Sequence, residues 1–373
     1  MDKEFPCKAS NIYDKNINFL FGSGASAAYI PTLWLSEDAT YETLLTHDDI
    51  KGKDVLENYI LSSYYNNIIK KTFCIKPEPT PKSFSKTLND YNRFLDELVS
   101  LLERKGSHQI KRGNIFTTNY DLFFETAADS ALNKKRFYFN DGALGFKERS
   151  LNISNFHLSH WHQGTHDLYK QEIPTVNIIK MHGSVSWNKE SNQKINVQYP
   201  KSAREKINLE CDKKIQDFTN CVYQTNEDLS EYLNLSQDDI DSLADFRVEY
   251  NRLAIVSPTK EKFSETVFQQ HYYQSLRLLS YELEKPQTVL ICFGFSFQDE
   301  HILEIIKRSL SNPTLKVFVF CYSKDSKQSI NETINDSRIA YIYPKNDAHN
   351  ISFDVFIDRI FTSDNGDWIS WTD

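Results

Sequence analysis

The sequence predicts an α/β protein, a Rossmann-like doubly wound parallel sheet with helical insertions forming a smaller second layer. Three observations predict it. Short apolar runs recur along the chain, end in turn residues, and are in several cases apolar on both faces, as strands covered by helices on each side are. Segments with apolar residues at helical spacing lie between those runs, and this alternation builds a parallel sheet. The chain has 373 residues, 40% hydrophobic, which is enough for one large α/β domain with insertions or for two modest domains, and the alternation favours the single domain, 1–373.

The first strand expected is Ile17–Phe21, and the second runs from Asn114 into Thr118. The third covers Val176–Met181, followed by Leu253–Val256, Thr288–Phe293, Leu315–Phe320 and Ile339–Tyr343. Phe94, Leu95, Leu98, Leu101 and Leu102 share one helical face just before the second strand; Ile302, Ile305, Ile306 and Leu310 do so after Phe293. Three stretches break the alternation, at about 31–90, 137–174 and 187–250, and are expected as mainly helical insertions. Pro77, Pro79 and Pro81 interrupt the first of them. In the last, Ser236 followed by Asp239 forms a capping-box pattern that opens a helix through Ile240, Leu243 and Ala244.

Charge and cysteine content narrow the function classes. The net charge is −8 and basic pairs such as Lys70-Lys71 and Lys134-Lys135 are scattered, so direct nucleic-acid binding by this chain is not expected. The six cysteines contain no C-x-x-C pair, so no zinc is expected, and Cys292 and Cys321 read as reduced core residues. The first residues are polar and no apolar run is long enough to span a bilayer, so no signal peptide and no membrane association are expected, and a reducing cytoplasm is the natural compartment.

Gly22-Ser23-Gly24-Ala25-Ser26 follows the first strand at once. A glycine turn that opens a helix lets the backbone approach a pyrophosphate and offers it free N–H groups. Ala27 stands where the third glycine of G-x-G-x-x-G would be, and no acidic residue ends a second strand about 20 residues on; Glu37, Asp38 and Glu42 lie in what reads as helix. That pattern argues against a hydride-transfer dehydrogenase.

Three further segments end strands, where open α/β sheets place their ligand crevice. They are Phe116-Thr117-Thr118-Asn119-Tyr120-Asp121, Met181-His182-Gly183-Ser184-Val185-Ser186-Trp187, and Phe293-Gly294-Phe295-Ser296-Phe297-Gln298-Asp299-Glu300-His301. Together with the glycine loop they resemble the sirtuin-like family, and especially its bacterial branch of NAD-consuming antiphage defence proteins. Gly22, Ser23, Gly24 and Ala25 are similar to that family's first NAD loop. Thr118-Asn119-Tyr120-Asp121 looks like its T-x-N-x-D motif, and His182-Gly183 like its catalytic His-Gly. Gly294 and Ser296 resemble the G-x-S loop on the adenosine side of NAD, and Asp299 and His301 extend it to the G-[FY]-S-F-x-D-x-H form of the defence branch. The resemblance runs from about Ile17 to Tyr343, with gaps in the insertions.

It implies NAD as substrate, cofactor-type contacts from Gly22, Ser23, Gly24, Ala25, Thr118, Gly183, Gly294, Ser296 and Asp299, and catalytic roles for Asn119, His182 and Asp121. It also implies a gated activity, in a homo-oligomer or with a HerA-type ring ATPase as partner. Deacylating members carry two C-x-x-C pairs and an Asp-Phe-Arg triplet after Ile-Pro; here Ile30-Pro31 is followed by Thr32-Leu33-Trp34. Both departures count against deacylation and fit the defence branch, so NAD cleavage to nicotinamide and ADP-ribose is the leading reading, with NAD-dependent deacylation or ADP-ribosyl transfer as the alternative. A non-catalytic NAD or ADP-ribose sensor is a third reading, disfavoured by the pairing of Asn119 with His182.

Nicotinamide leaves the ribose anomeric carbon neutral, through an oxocarbenium-like transition state that needs a nucleophile and stabilised positive charge rather than a general acid. Asn119 suits the orientation of a ribose hydroxyl or water, and His182 suits the acceptance of its proton. Asp121 has two open roles, favouring the cationic transition state or buttressing its loop. His157, His160, His162 and His166, with Asp167, crowd one stretch; their spacing does not match a metal-ligand set, and they are expected as a polar, aromatic lid between the Asn119 and His182 motifs.

Overall fold

The computed structural model describes residues 7–36, 39–166, 169–189, 194–200, 215–224, 233, 235–258, 266–345, 349–362 and 369–371. The strands of its main sheet are β1 (Asn16–Phe21), β2 (Arg112–Thr117), β3 (Tyr138–Asn140), β8 (Thr175–Lys180), β12 (Thr288–Phe293), β13 (Lys316–Phe320), β14 (Ile339–Pro344) and β15 (Ile369–Trp371). The remaining described strands form two smaller sheets. The main sheet runs β15-β14-β13-β12-β1-β2-β8-β3, and every neighbouring pair is parallel except β14 with β15. The chain moves outward from β12 through β13 and β14 on one side and from β1 through β2 to β8 on the other, with β3 added at the edge beyond β8. The order therefore reverses between β1 and β12, and a crevice opens at their carboxyl ends.

Side-chain alternation sorts the sheet onto two cores. Ile17, Phe19 and Phe21 of β1, with Val289, Ile291 and Phe293 of β12, face one side, where the Lys82–Glu103, Phe123–Leu132 and Phe353–Phe361 helices cover them. Aromatic edges close this side, with Phe21 at 5.1 Å from Phe94 and Phe293 at 4.6 Å from Phe356 between ring centroids. Leu20, Leu290 and Cys292 face the other side, under the Thr266–Glu284 and Glu300–Ser309 helices. Cys292 and Cys321 are buried there and free, as expected.

Four buried asparagines cross the sheet on this second face. Asn114 donates to Asn18 at 2.9 Å, Asn177 to Asn114 at 2.8 Å, and Asn140 to Asn177 at 2.9 Å. They stand directly opposite one another in the strand pairings β1·β2, β2·β8 and β3·β8. A slip of any of these strands would leave buried amides unpaired, so the row pins the register. The same register aligns Phe21, Thr117 and Lys180, and the segments leaving β1, β2 and β8 emerge side by side.

The expected strands form, but Leu253–Ile255 (β11) lies in a different sheet. It pairs antiparallel with β9 (Gly183–Lys189), in the order β11-β9-β10-β5-β4, where β10 is Ile195–Val197, β5 Ser150–Leu151 and β4 Ala143–Leu144. The chain turns back at Met181-His182 and runs straight into β9, whose free edge takes up the apolar β11 run. The stretch at 137–174 is not helical as expected but folds into β3, β4, β5, a 3-10 turn at Ile153–His157, and the hairpin β6 (His160–His162) with β7 (Gln171–Ile173). Gly142 and Gly164 take positive φ there and turn the chain back on itself. Within 187–250, a stretch expected to be mainly helical, the end of β9 and β10 are strands, because Val185, Trp187, Ile195 and Val197 alternate with polar neighbours. The rest of that stretch holds the Ile215–Gln224 and Gln237–Tyr250 helices, the latter with the Ser236–Asp239 capping box. The 31–90 stretch is helical at Tyr41–Leu45, Asp54–Tyr64 and Lys70–Thr72. No helix among the described residues is long and apolar enough to cross a membrane.

Asn114→Ala removes the middle of the asparagine row and strands partners on both sides. We expect a loss of about 2–4 kcal/mol, read as a lower urea midpoint; an unchanged midpoint would mean the row does not hold the sheet.

Candidate active site

The crevice between β1 and β12 is built by backbone in contact with backbone. Gly22 donates its N–H to the Phe293 carbonyl at 3.1 Å, and Gly24 donates to the Gly294 carbonyl at 3.0 Å. A Cβ on Gly22 would sit 2.4 Å from the Gly294 oxygen, and one on Gly24 would sit 2.5 Å from Gly294 Cα. Gly294 itself has φ +64. Only glycines permit this interlock.

The loop after β1 differs from its expected form. It opens a 3-10 turn, Ser23–Ala25, rather than a helix, and the N–H groups of Gly22, Gly24, Ala25 and Ser26 are bonded to carbonyls within the interlock and the turn. Its glycines serve close packing against the Gly294 loop more than a helix N-terminus would. Glu42 lies on the Tyr41–Leu45 helix, as read, whereas Glu37 and Asp38 lie outside the described residues.

One cleft gathers most of the expected site. Gly22, Ser23, Thr118, Asn119, Asp121, His182, Gly294, Ser296 and Asp299 line it. Gly24, Ala25 and Gly183 stand behind that lining, Gly24 in the interlock and Gly183 at the start of β9. Ile30, Pro31, Thr32 and Leu33 form an apolar lip, with Glu42 and Tyr64 beside it. The ionisable groups on this wall include three carboxylates, Glu42, Asp121 and Asp299, and such a lining favours a cationic group over an anionic one.

Asn119 and Asp121 sit on the turn that leaves β2. The Asn119 backbone N–H bonds Thr117 Oγ1 at 3.0 Å, while its side-chain Nδ2 is buried without a well-formed hydrogen bond. Asp121 is almost fully buried and bonded on both oxygens, accepting from Ser26 Oγ at 2.8 Å and from the Phe123 N–H at 3.3 Å. Ser26 in turn meets the Tyr91 hydroxyl at 2.7 Å, and this linkage ties the loops after β1 and β2 to the Lys82–Glu103 helix. Below it, Lys180 Nζ binds the Asp121 carbonyl and pairs with Glu125 Oε1 at 3.1 Å; burial raises the Glu125 carboxyl above its ordinary range, against the pull of Lys180. The geometry of Asp121 is that of a buttress whose edge also faces the cleft.

His182 occupies the tight turn between β8 and β9, its carbonyl bonded by the Val256 N–H at 2.8 Å. Its Nε2 lies 2.9 Å from Asp299 Oδ2. Asp299, which the sequence placed among the cofactor contacts, thus turns its carboxylate toward the histidine. Sequence reasoning missed three participants. Ser26 was visible in the glycine loop, but its bond to Asp121 depends on a contact 95 residues away. Tyr272, inside a long helix, and Tyr64 carry no local pattern that marks them.

The histidine-rich stretch is not a lid. His160 packs on Tyr138 at 3.9 Å, His162 stacks near Tyr169 at 5.9 Å, and Arg112 binds the carbonyls of His157 and Leu158. Arg112 begins β2, so the stretch lies at the amino end of the strands, opposite the cleft. Asp167 lies outside the described residues. Among the described residues no group of three His, Cys, Asp or Glu is placed to hold a metal ion.

The reversed strand order, with the glycine interlock closing the crevice at its carboxyl end, defines an α/β protein of the doubly wound class. Residues 113–342, more than half of the chain, match the family described as SIR2-like domain. The chain belongs to the SIR2-like domain family, which implies NAD binding and suggests an NAD-utilising enzyme. The match starts at β2, so the glycine loop lies before it. No curated protein matches the chain.

Gly294→Ala places a Cβ 2.7 Å from Ala25 N at a left-handed φ. We expect at least a 10-fold weaker Kd for NAD by calorimetry, with a lowered thermal midpoint. Unchanged affinity would separate the interlock from ligand binding.

Proposed function

We propose that the protein is an NAD glycohydrolase that cleaves NAD to nicotinamide and ADP-ribose. One observation carries this reading: Asn119 and His182, from neighbouring strand ends, line the same cleft at the sheet's reversal point. The buried Asn119 amide supplies a donor for a ribose hydroxyl or for the attacking water. His182 takes the proton that this water loses as its oxygen bonds the anomeric carbon, while the C–N bond breaks and nicotinamide departs with the electron pair. Glu42, Asp121 and Asp299 favour the positive charge that develops on the ribose. Gly22, Ser23, Thr118, Gly294 and Ser296 are the binding surface, with Gly24, Ala25 and Gly183 holding its shape.

The motif set Gly294-Phe295-Ser296-Phe297-Gln298-Asp299-Glu300-His301 and the Thr32-Leu33-Trp34 departure after Ile30-Pro31 favour hydrolysis over deacylation. We place the protein in the antiphage branch on the same motifs, as the toxic effector of an abortive-infection response acting in the cytoplasm. Unrestrained NAD depletion would poison the host, so the activity is gated by homo-oligomer assembly or by a HerA-type ring ATPase.

Purified protein incubated with NAD should release nicotinamide and ADP-ribose, and Asn119→Ala and His182→Ala should each slow that release by about 100-fold or more. Chromatography of the products, with and without the partner ATPase, measures it. NAD binding without turnover in either condition would mark the protein as a sensor and refute the hydrolase.

A further inference from the structure

Asp299 does more than line the cleft. Its loop leaves β12 through Gly294, and Phe297 takes a left-handed φ of +62, a conformation unfavourable for a bulky residue. Phe297 is fully buried, its ring 5.0 Å from Phe295, so packing holds the turn in place. The turn delivers Asp299 to the start of the Glu300–Ser309 helix, where Oδ1 accepts the Ile302 N–H at 3.1 Å as an N-cap. Oδ2 meets His182 Nε2 at 2.9 Å. The hydroxyl of Tyr272, from the facing Thr266–Glu284 helix, donates to the same carboxylate at 3.1 and 3.2 Å. Burial and the neighbouring Asp299 raise the Tyr272 phenol well above its ordinary value, so it stays a donor. Tyr272 also lies 5.9 Å from the His182 ring.

We propose that Asp299 is the positioning residue of His182, its carboxylate holding the imidazole as the Nε2–H tautomer and leaving Nδ1 as the nitrogen that takes the proton. An ionised carboxylate only accepts hydrogen bonds, so the nitrogen facing it must carry hydrogen. The other nitrogen then keeps the lone pair. As Nδ1 gains a proton from water or a ribose hydroxyl, the ring becomes imidazolium, and Asp299, 2.9 Å away, stabilises that charge without being protonated itself. Tyr272 and the helix cap fix the carboxylate, so the ring does not rotate to share its proton. This inference rests on the hydrolase reading only for the identity of the proton donor; the tautomer is a property of the resting protein.

Asp299→Asn is the informative variant because asparagine caps helices as well as aspartate does. Its oxygen is required at the Ile302 N–H, which puts its amide nitrogen opposite His182. That nitrogen donates, so the ring must switch to the Nδ1–H form. Asp299→Ser keeps the cap but does not reach His182, and leaves the ring free of either constraint. The full-length chain is labelled with 15N-histidine, His182 is assigned by loss of its signals in His182→Ala, and thermal midpoints check folding. We expect a single Nε2–H tautomer in the wild type, the reversed tautomer in Asp299→Asn, and an averaged ring in Asp299→Ser. With NAD, kcat should fall by about 10²–10⁴-fold in Asp299→Asn while KM stays within about 3-fold. A wild-type ring that is averaged or carries its hydrogen on Nδ1, or an Asp299→Asn ring that keeps Nε2–H, would overturn the assignment. If no form of the chain cleaves NAD, the hydrolase reading falls, and the tautomer spectra still decide the role of Asp299.

Discussion

The site depends on the contact between two loops that have no side chains where they touch. Gly22 and Gly24 lie against Gly294 at separations that leave no room for a Cβ, and two backbone hydrogen bonds join them. The contact bridges the carboxyl ends of β1 and β12, where the strand order reverses. A parallel sheet opens a crevice there because successive connections depart to opposite faces. In this protein the floor of the crevice is closed by main chain, and Ser23 and Ser296 both line the cleft above it. Bulk at any of the three glycines would push the two halves of the sheet's upper edge apart.

Register decides what else reaches the crevice. The Asn18–Asn114–Asn177–Asn140 row buries four amides that satisfy one another only in one alignment of their strands. That alignment brings the turn after β2 beside the turn after β8, and so Asn119 beside His182. Polar groups buried in this way add specificity more than net stability, since each hydrogen bond replaces one to water. The Lys180–Glu125 pair beneath Asp121 has a similar place, a buried charge held by its partner and by the Asp121 carbonyl.

The wall of the cleft is assembled from both cores. Asp121 is anchored through Ser26 and Tyr91 on one side of the sheet, and Asp299 through Tyr272 and its own helix on the other. The two carboxylates differ in what they hold. Asp121 accepts from a hydroxyl and a backbone N–H and ties its loop to the Lys82–Glu103 helix through Ser26. Asp299 spends one oxygen on a helix end and turns the other to an imidazole. Both still border the cleft, and with Glu42 they give it an acidic character suited to a cationic group.

The sequence alone determined the doubly wound class, six of the eight strands of the main sheet and the strand-end segments that carry Asn119, His182, Gly294 and Ser296. These are local properties: apolar runs of strand length, helical spacing and glycine turns are set by neighbours a few residues apart. It misplaced the β11 run, because an apolar strand does not state which sheet it joins, and read helix into 137–174, where turns and short pairings prevail. The histidine-rich lid failed for the same reason, since chain position between two motifs says nothing about which end of the sheet a hairpin covers. Only the tertiary structure decided that Asp299 faces His182, that Ser26 and Tyr91 hold Asp121, and that four asparagines align the strands. Each of those contacts joins residues far apart in the chain, and the hydrogen bonds that select them exist only once both cores have closed on the sheet.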